Sequence, residues 1–290
     1  MRVVRDATEL TPEPRAVAIG TFDGVHRGHR RVLEAAREAG DRLRPTVVTF
    51  APHPRVVLGY QVELLTTLER RLELLAEVGI AETLVVDFTS ELAATEPEAF
   101  AEALLRPIGA RRVVAGAGFR FGRGRAGDLD LLERLGFEVT PIDLVEGVSS
   151  STIRARLREG DVVEAAHMFG RAAEIEGTVV AGDARGGTLG YPTANLRPEP
   201  ELLVPAFGIY AGRAAGHRAA VSIGTNPHYG GEERRIEAFL LDFEGNLYGH
   251  RLVVELWQRL RDEQAFGSEE ELVAQIGRDV DAARGARPPV

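Results

Sequence analysis

Between residues 15 and 145, short β-branched runs alternate with helical patterns; after about residue 170 that rhythm stops and short alternating runs take over. This change constrains the chain more than any other feature, because each rhythm demands a different sheet. RAVAIG (15–20), TVVTF (46–50), TLVVDF (83–88) and RRVVAGAGF (111–119) have the length and branching of buried strands. Helices between them imply βαβ units and a mainly parallel sheet, an α/β fold. In the segment TTLERRLELLAEVG, Thr66 and Glu69 predict a capping box, Leu68, Leu72 and Leu75 a buried face, and Gly79 the stop. Thr95 and Glu98 repeat the capping signature. Ligands of such sheets collect beyond the carboxyl ends of the strands, where residues 20–29 and 49–54 fall.

Two short helices follow: SSSTIRARLREG (149–160), basic and stopped by Gly160, and DVVEAAHMFG, opened by Asp161 and Glu164. From 174 to 257, EGTVVAG, FGIYAGRA, AAVSIG, IEAFLLDF and LYGHRLVVELW are separated by glycine-rich turns, the pattern of an antiparallel barrel or sandwich. FEGNLYG predicts a hairpin with its tip at 244–246. SEEELVAQIGRDV predicts a closing helix capped by Ser268 and Glu271 that buries Leu272, Ile276 and Val280; GARPPV after it is expected to be disordered. A length of 290 residues fits two domains, here 1–168 and 169–290.

Composition narrows the functions. The absence of cysteine removes disulfides, thiolate nucleophiles and zinc ribbons, and agrees with a cytoplasmic location. A formal charge of −9 argues against nucleic acid as partner. The charged, proline-containing start is unlike an export signal, and no run reaches the roughly 18 apolar residues of a membrane span. Bound phosphates must be met locally, by arginines, backbone amides or a divalent cation.

The stretch IGTFDGVHRGH (19–29) supplies such a place. Gly20, Gly24 and Gly28 let backbone approach a ligand, and a helix starting near His29 directs its free amides at an anion. The glycine spacing fits neither a P-loop nor a dinucleotide fingerprint. His26 and His29 are placed to donate to phosphate oxygens as charge develops on a leaving pyrophosphate. HRGH matches the HxGH signature of the nucleotidylyltransferase superfamily, and SSSTIR (149–154) resembles its ISSTxxR phosphate-binding segment. With TFAPHP (49–54) and GAGFRFG (116–122), GTFDGVHRGH resembles the FMN adenylyltransferase module of bacterial bifunctional riboflavin kinase/FAD synthetases.

That resemblance implies that His26 and His29 stabilise ATP phosphates, that Ser149, Ser150 and Arg154 hold pyrophosphate, and that Gly20, Asp23 and Gly28 line the same turn. On a helix only some of Arg154, Arg156 and Arg158 can face one site. His53, between two prolines, is either a rigid turn or, by resemblance, a ligand contact. Gly118 stands where the family most often has aspartate, a change expected to weaken nucleotide or flavin binding in this module.

In the second half, GTLGYPTANL (187–196) interrupts the β pattern. Thr193 and Asn195 offer hard oxygens suited to magnesium that keeps waters and phosphates as its other ligands. The segment matches the PTAN motif of riboflavin kinases, which implies Mg²⁺ at Thr193 and Asn195. Glu237 in RRIEAFLLDF, with Phe239 and Leu241 on its face, is either an edge carboxylate paired with Arg234 or Arg235 or, by resemblance, the base for the riboflavin 5′-hydroxyl. By the same resemblance Arg185 is the phosphate-side arginine, followed by Gly186 and Gly187 where relatives often have a second arginine, and His228 replaces the usual threonine of NPT.

The resemblance implies an α/β nucleotidylyltransferase domain with a Rossmann-like parallel sheet, then a C-terminal antiparallel β-barrel riboflavin kinase domain with a terminal helix. It implies ATP-dependent conversion of riboflavin to FMN and of FMN to FAD, with ATP, riboflavin and FMN as small-molecule substrates. The rival readings are a monofunctional riboflavin kinase with a weakened first module and a non-catalytic flavin-binding protein.

Overall fold

The computed structural model describes residues 1–11, 13–40, 42–182, 191–225 and 234–290. Arg185, Gly186, Gly187 and His228 lie outside the described residues. The chain forms two compact units, Met1–Ser150 and Ser151–Val290.

The first unit is built on six strands: β1 (Arg2–Val4), β2 (Arg15–Ile19), β3 (Arg44–Ala51), β4 (Glu82–Asp87), β5 (Ala110–Gly116) and β6 (Glu138–Ile142). Their order is β1-β4-β3-β2-β5-β6, and every neighbouring pair is parallel. The chain winds from β2 outward through β3 and β4, then crosses to β5 and β6 on the other side of β2. The switch point therefore lies at β2, whose carboxyl end opens into the HRGH turn. Both faces are covered. Val17, Ile19, Val48, Phe50 and Leu84 join one core cluster, while Ala18, Val47 and Val114 join another. Alternate residues facing two cores explain the unbroken apolar runs.

Helices α1 (Arg27–Arg37), α2 (Pro54–Val57), α3 (Leu68–Glu77), α4 (Ser90–Ala93), α5 (Pro97–Leu104) and α6 (Leu129–Arg134) connect the strands. The expected caps of two of them are corrected. Thr67, not Thr66, caps α3 by accepting from the Arg70 amide at 3.1 Å, and the buried face is Arg71, Leu74 and Leu75 rather than Leu68, Leu72 and Leu75. Thr66 instead accepts from the Gly24 amide, which shifts the helix start by one residue. Helix α5 begins on Pro97 without a side-chain cap, and Thr95 bonds back to the Glu91 carbonyl. At the amino ends of the strands, buried Arg15 pairs with buried Glu82 at 3.0 Å and donates to the Thr11 and Ile108 carbonyls. Its charge is fully partnered where no ligand would sit.

The second unit holds α7 (Ser150–Glu159), which begins on the last residue of the first unit, and α8 (Val162–Phe169). A closed barrel follows, with strands β7 (Ala173–Val180), β8 (Ala194–Arg197), β9 (Gly208–Ala214), β10 (His217–Thr225), β11 (Arg234–Leu240) and β12 (Arg251–Arg261) in the order β10-β11-β8-β7-β12-β9. All paired strands are antiparallel. Ile236, Ala238 and Leu240 are buried and alternate with half-buried Arg235, Glu237 and Phe239. A bulge in β12 lets Leu256 and Trp257 both be buried.

FEGNLYG is not a hairpin, since β11 and β12 are separated by β8 and β7 in the barrel. The connection docks on β7 instead, where the Gly249 amide donates to the Val179 carbonyl. Helix α9 (Glu269–Gly285) packs on β9 and β10, with Ser268 accepting from the Glu271 amide. Its fully buried positions are Asp279 and Ala283; Leu272, Ile276 and Val280 are only half-buried. The tail expected to be disordered, 285–290, begins inside the helix with Gly285, and buried Ala286 follows, its carbonyl accepting from Arg218.

Candidate functional site

The turn after β2 is strained and closely tied. Phe22, Gly24 and Val25 have φ of 51°, 83° and 40°. Positive φ is costly for Phe and Val and persists only where surrounding contacts impose it. Those contacts come from Asp23, whose buried carboxylate accepts from the Leu65 amide at 2.9 Å and the Thr66 amide at 3.2 Å. Asp23 thus holds the turn through protein donors. The Ser150 hydroxyl, on the last residue of the first unit, donates to the Asp23 carbonyl at 3.1 Å.

His26 is the N-cap of α1: its Nδ1 accepts from the His29 amide at 3.3 Å. Helix α1 therefore starts at Arg27, two residues before the position expected from sequence. With Nδ1 accepting, Nε2 is the ring nitrogen that carries the proton in the neutral tautomer. The His26 and His29 rings stack with centroids 3.6 Å apart, and the Phe22 ring meets His29 edge-on at 5.4 Å. Burial, the His26 ring and the Arg71 charge hold the His29 pKa well below its ordinary 6.5, so the ring is neutral at pH 7. His29 Nδ1 is buried without a hydrogen-bond partner. A Cβ on Gly28 would stand 3.2 Å from the His26 ring, and one on Gly20 3.2 Å from the Phe22 ring.

His53 caps α2 in the same way, with Nδ1 accepting from the Arg55 amide at 3.1 Å, and is buried. Ser149 precedes α7 and is half-buried. Along α7, Arg154 is buried with Ile153 and Leu157 while Arg156 pairs with Glu159 on the open side, so the helix turns one of its arginines inward. Arg154 belongs to the second compact unit. Gly118 lies in an exposed turn with open space where a side chain would project. Sequence reasoning missed Arg71, although a charge in the otherwise apolar stripe Arg71, Leu74, Leu75 and Val78 is a readable signal.

In the barrel, β8 and β11 bring Asn195 and Glu237 together as register partners, 42 residues apart in sequence. Arg235 Nε contacts Glu237 Oε1 at 2.6 Å and Asn195 Oδ1 at 3.2 Å. Arg234 takes no part in that pair; it lies over the Phe207 ring. Glu237 stands in the middle of β11, and Leu241 is outside the strand and buried, so only Phe239 shares the face expected for both. Phe239 meets Tyr191 edge-on at 5.3 Å. A cavity of about 150 Å³ opens beside Thr193, lined also by Pro192, Phe243, Asn246, Leu247 and Tyr248.

Comparison with known proteins agrees with this division. Residues 8–154 match the FAD synthetase family and residues 169–286 the riboflavin kinase family. A bifunctional riboflavin kinase/FMN adenylyltransferase of Listeria monocytogenes is 36% identical over 93% of this chain and 92% of its own length. The protein of that name from Escherichia coli K12 is 35% identical over 98% and 97%. A solved structure described as a macrolide-efflux protein from Streptococcus pneumoniae shares the fold over 98% of both chains, with a TM-score of 0.87 and 30% identity. Among the described residues no helix is long and apolar enough to cross a membrane. Two family matches in tandem, with relatives of the same build along almost their whole length, place the chain in the bifunctional riboflavin kinase/FMN adenylyltransferase family.

Proposed function

We propose that the chain phosphorylates riboflavin to FMN in its barrel and converts FMN to FAD in its α/β unit, using one ATP for each step. The observation that supports this most directly is the register partnership of Asn195 and Glu237, which assembles the kinase motif residues from two distant segments on one face of the barrel. The functional boundary is placed at 168/169, where the helices give way to the barrel.

In the kinase step Glu237 takes the proton of the riboflavin 5′-hydroxyl as its oxygen attacks the γ-phosphorus of ATP, and ADP leaves. General-base assistance of this kind is worth about 10² to 10⁴ in rate. Asn195 Oδ1 and Glu237 Oε1 already converge on the positive charge of Arg235, so this oxygen set fits a cation. Thr193 and Asn195 would hold magnesium, which when bound neutralises charge on the ATP phosphates. Arg185 is assigned to the phosphate side by family resemblance, and the cavity beside Thr193 offers room for part of a substrate.

In the second step an FMN phosphate oxygen attacks the α-phosphorus of ATP, the bond to the bridging oxygen breaks and pyrophosphate leaves. His26 Nε2 and the ring of His29 donate to the oxygens that gain charge, and the amides opening α1 add to the same field. Ser149, Ser150 and Arg154 are assigned to pyrophosphate, and Gly20, Gly28 and His53 to the nucleotide surroundings. Asp23 serves by fixing the turn. ATP as substrate agrees with a cytoplasmic enzyme.

Chromatography of riboflavin, FMN and FAD after incubation with MgATP tests the reading. Glu237→Gln is expected to stop FMN formation and leave conversion of supplied FMN to FAD, while His29→Ala does the reverse. Loss of both activities in either folded variant contradicts the division. FMN formation without any FAD would favour a monofunctional kinase, the reading that Gly118 supports.

A further inference from the structure

Arg71 is a charged residue buried at 3% exposure on the inward face of α3, and it is part of neither motif. Its Nη1 donates to the Thr21 carbonyl at 2.7 Å, the Phe50 carbonyl at 3.2 Å and the Thr49 hydroxyl at 3.3 Å. The Thr49 hydroxyl donates in turn to the Thr21 carbonyl at 3.1 Å. These oxygens lie just past β2, at Thr21, and among the last residues of β3, at Thr49 and Phe50; the loops after the two strands carry His26 and His29 on one side and His53 on the other. A buried guanidinium loses its hydration; Nη1 recovers hydrogen bonds here, while Nε is buried without a partner. Here the donors clamp two strand ends at the switch point of the sheet.

We propose that Arg71 is a positioning residue for adenylyl transfer, acting on His29 through the Thr21 carbonyl and the Phe22 ring, and through its own buried charge. The path is short. Thr21 precedes Phe22, whose strained backbone at φ 51° directs its ring against His29. Releasing the Thr21 carbonyl frees that backbone to relax and moves the ring on which His29 rests. The charged and titratable groups around the path are His26, Arg71 and Asp23. His26 and Arg71 disfavour a proton on His29, and Asp23 favours the charge of Arg71. Arg71 thus helps to keep His29 a neutral N–H donor. This inference rests on the assignment of His29 to the adenylyl-transfer site.

The experiment compares Arg71→Met, Arg71→Lys and His29→Ala in the full chain. It measures FAD formation from FMN, FMN formation from riboflavin, and the His29 ring titration by NMR. Arg71→Met is expected to slow FAD formation at least tenfold, keep FMN formation, and move the His29 titration upward toward 6.5. Arg71→Lys is expected to keep the titration near that of the parent and still slow FAD formation, because a single ammonium cannot reach all three oxygens. If Arg71→Met does not fold, Arg71→Lys decides: a slower FAD step upholds the clamp and an unchanged one overturns it. An unmoved His29 titration in folded Arg71→Met overturns the proposal whatever the rate does. Should His29→Ala retain FAD formation, the site assignment fails separately from the role of Arg71.

Discussion

His26 caps α1 with Nδ1, and in the proposed adenylyl transfer its Nε2 is the donor to phosphate; the neighbouring glycine leaves room for the ring. Alanine at position 28 would favour the helix by about 0.5–1 kcal/mol, yet its Cβ would press on the His26 ring at 3.2 Å. Gly28→Ala is therefore expected to leave the thermal midpoint unchanged or slightly raised while slowing FAD formation about tenfold, less than the roughly 10²-fold that a misplacement of about 1 Å can cost. Parallel assays of FMN and FAD formation check this, because the kinase step should not change. His29 adds a pH signature. The unfolded chain takes up a proton on this ring as pH falls through 6.5, whereas the folded chain takes it up only at lower pH. Its contribution to stability is complete above 6.5 and is lost as pH falls from there toward the lowered value. Urea titrations at pH 7.5 and 5 should show a smaller acid loss in His29→Asn than in the parent. Equal losses would mean that His29 titrates alike in both states.

At the scale of elements, the turn after β5 holds Gly118, where the family resemblance leads one to expect aspartate. Gly118 is exposed, faces open space and has no positive φ, so a side chain there meets neither clash nor strain. Gly118→Asp is expected to fold as well as the parent and to lower the KM for ATP or FMN in FAD formation a few-fold; unchanged KM values would make the glycine neutral. The elements also differ in how legible they are from sequence. β2 through β5 are plain because most of their residues are buried on both faces and read as apolar runs. β1 has three residues with one buried, and β6 contains Pro141 with none buried, so these edge strands carry too little apolar pattern to register. β8 was hidden for another reason: its four residues begin inside PTAN, and functional residues displaced the alternation. Motif residues could be named one by one, but the contact of Arg235 with both Asn195 and Glu237, and the clamp of Arg71, depend on pairing between distant strands and helices. No local pattern carries such pairing.

At the scale of the molecule, the family matches and the packing divide the chain at different places. The FAD synthetase match ends at 154 and the riboflavin kinase match begins at 169, while the compact units meet between Ser150 and Ser151. The segment in question is α7 and α8. Helix α8 packs on β7 and β12 and buries Val162, Ala165, Ala166, Met168 and Phe169. Burying a large apolar side chain is worth roughly 1.5–3 kcal/mol, so Val162 and Met168, which the shorter fragment lacks, together contribute several kcal/mol. That is a large share of the roughly 5–15 kcal/mol that holds a domain folded. A fragment of residues 151–290 is therefore expected to melt about 10 °C or more above one of residues 169–290, and to phosphorylate riboflavin without making FAD. The shorter fragment should bind more of a dye that reports exposed apolar surface, since β7 and β12 lose their cover. Calorimetry of the two fragments decides the matter. If they melt together, α8 adds nothing to the barrel and the proposed functional boundary at 168/169 is the folding boundary as well; if the longer one is more stable, the kinase barrel depends for its stability on residues that precede its own family match.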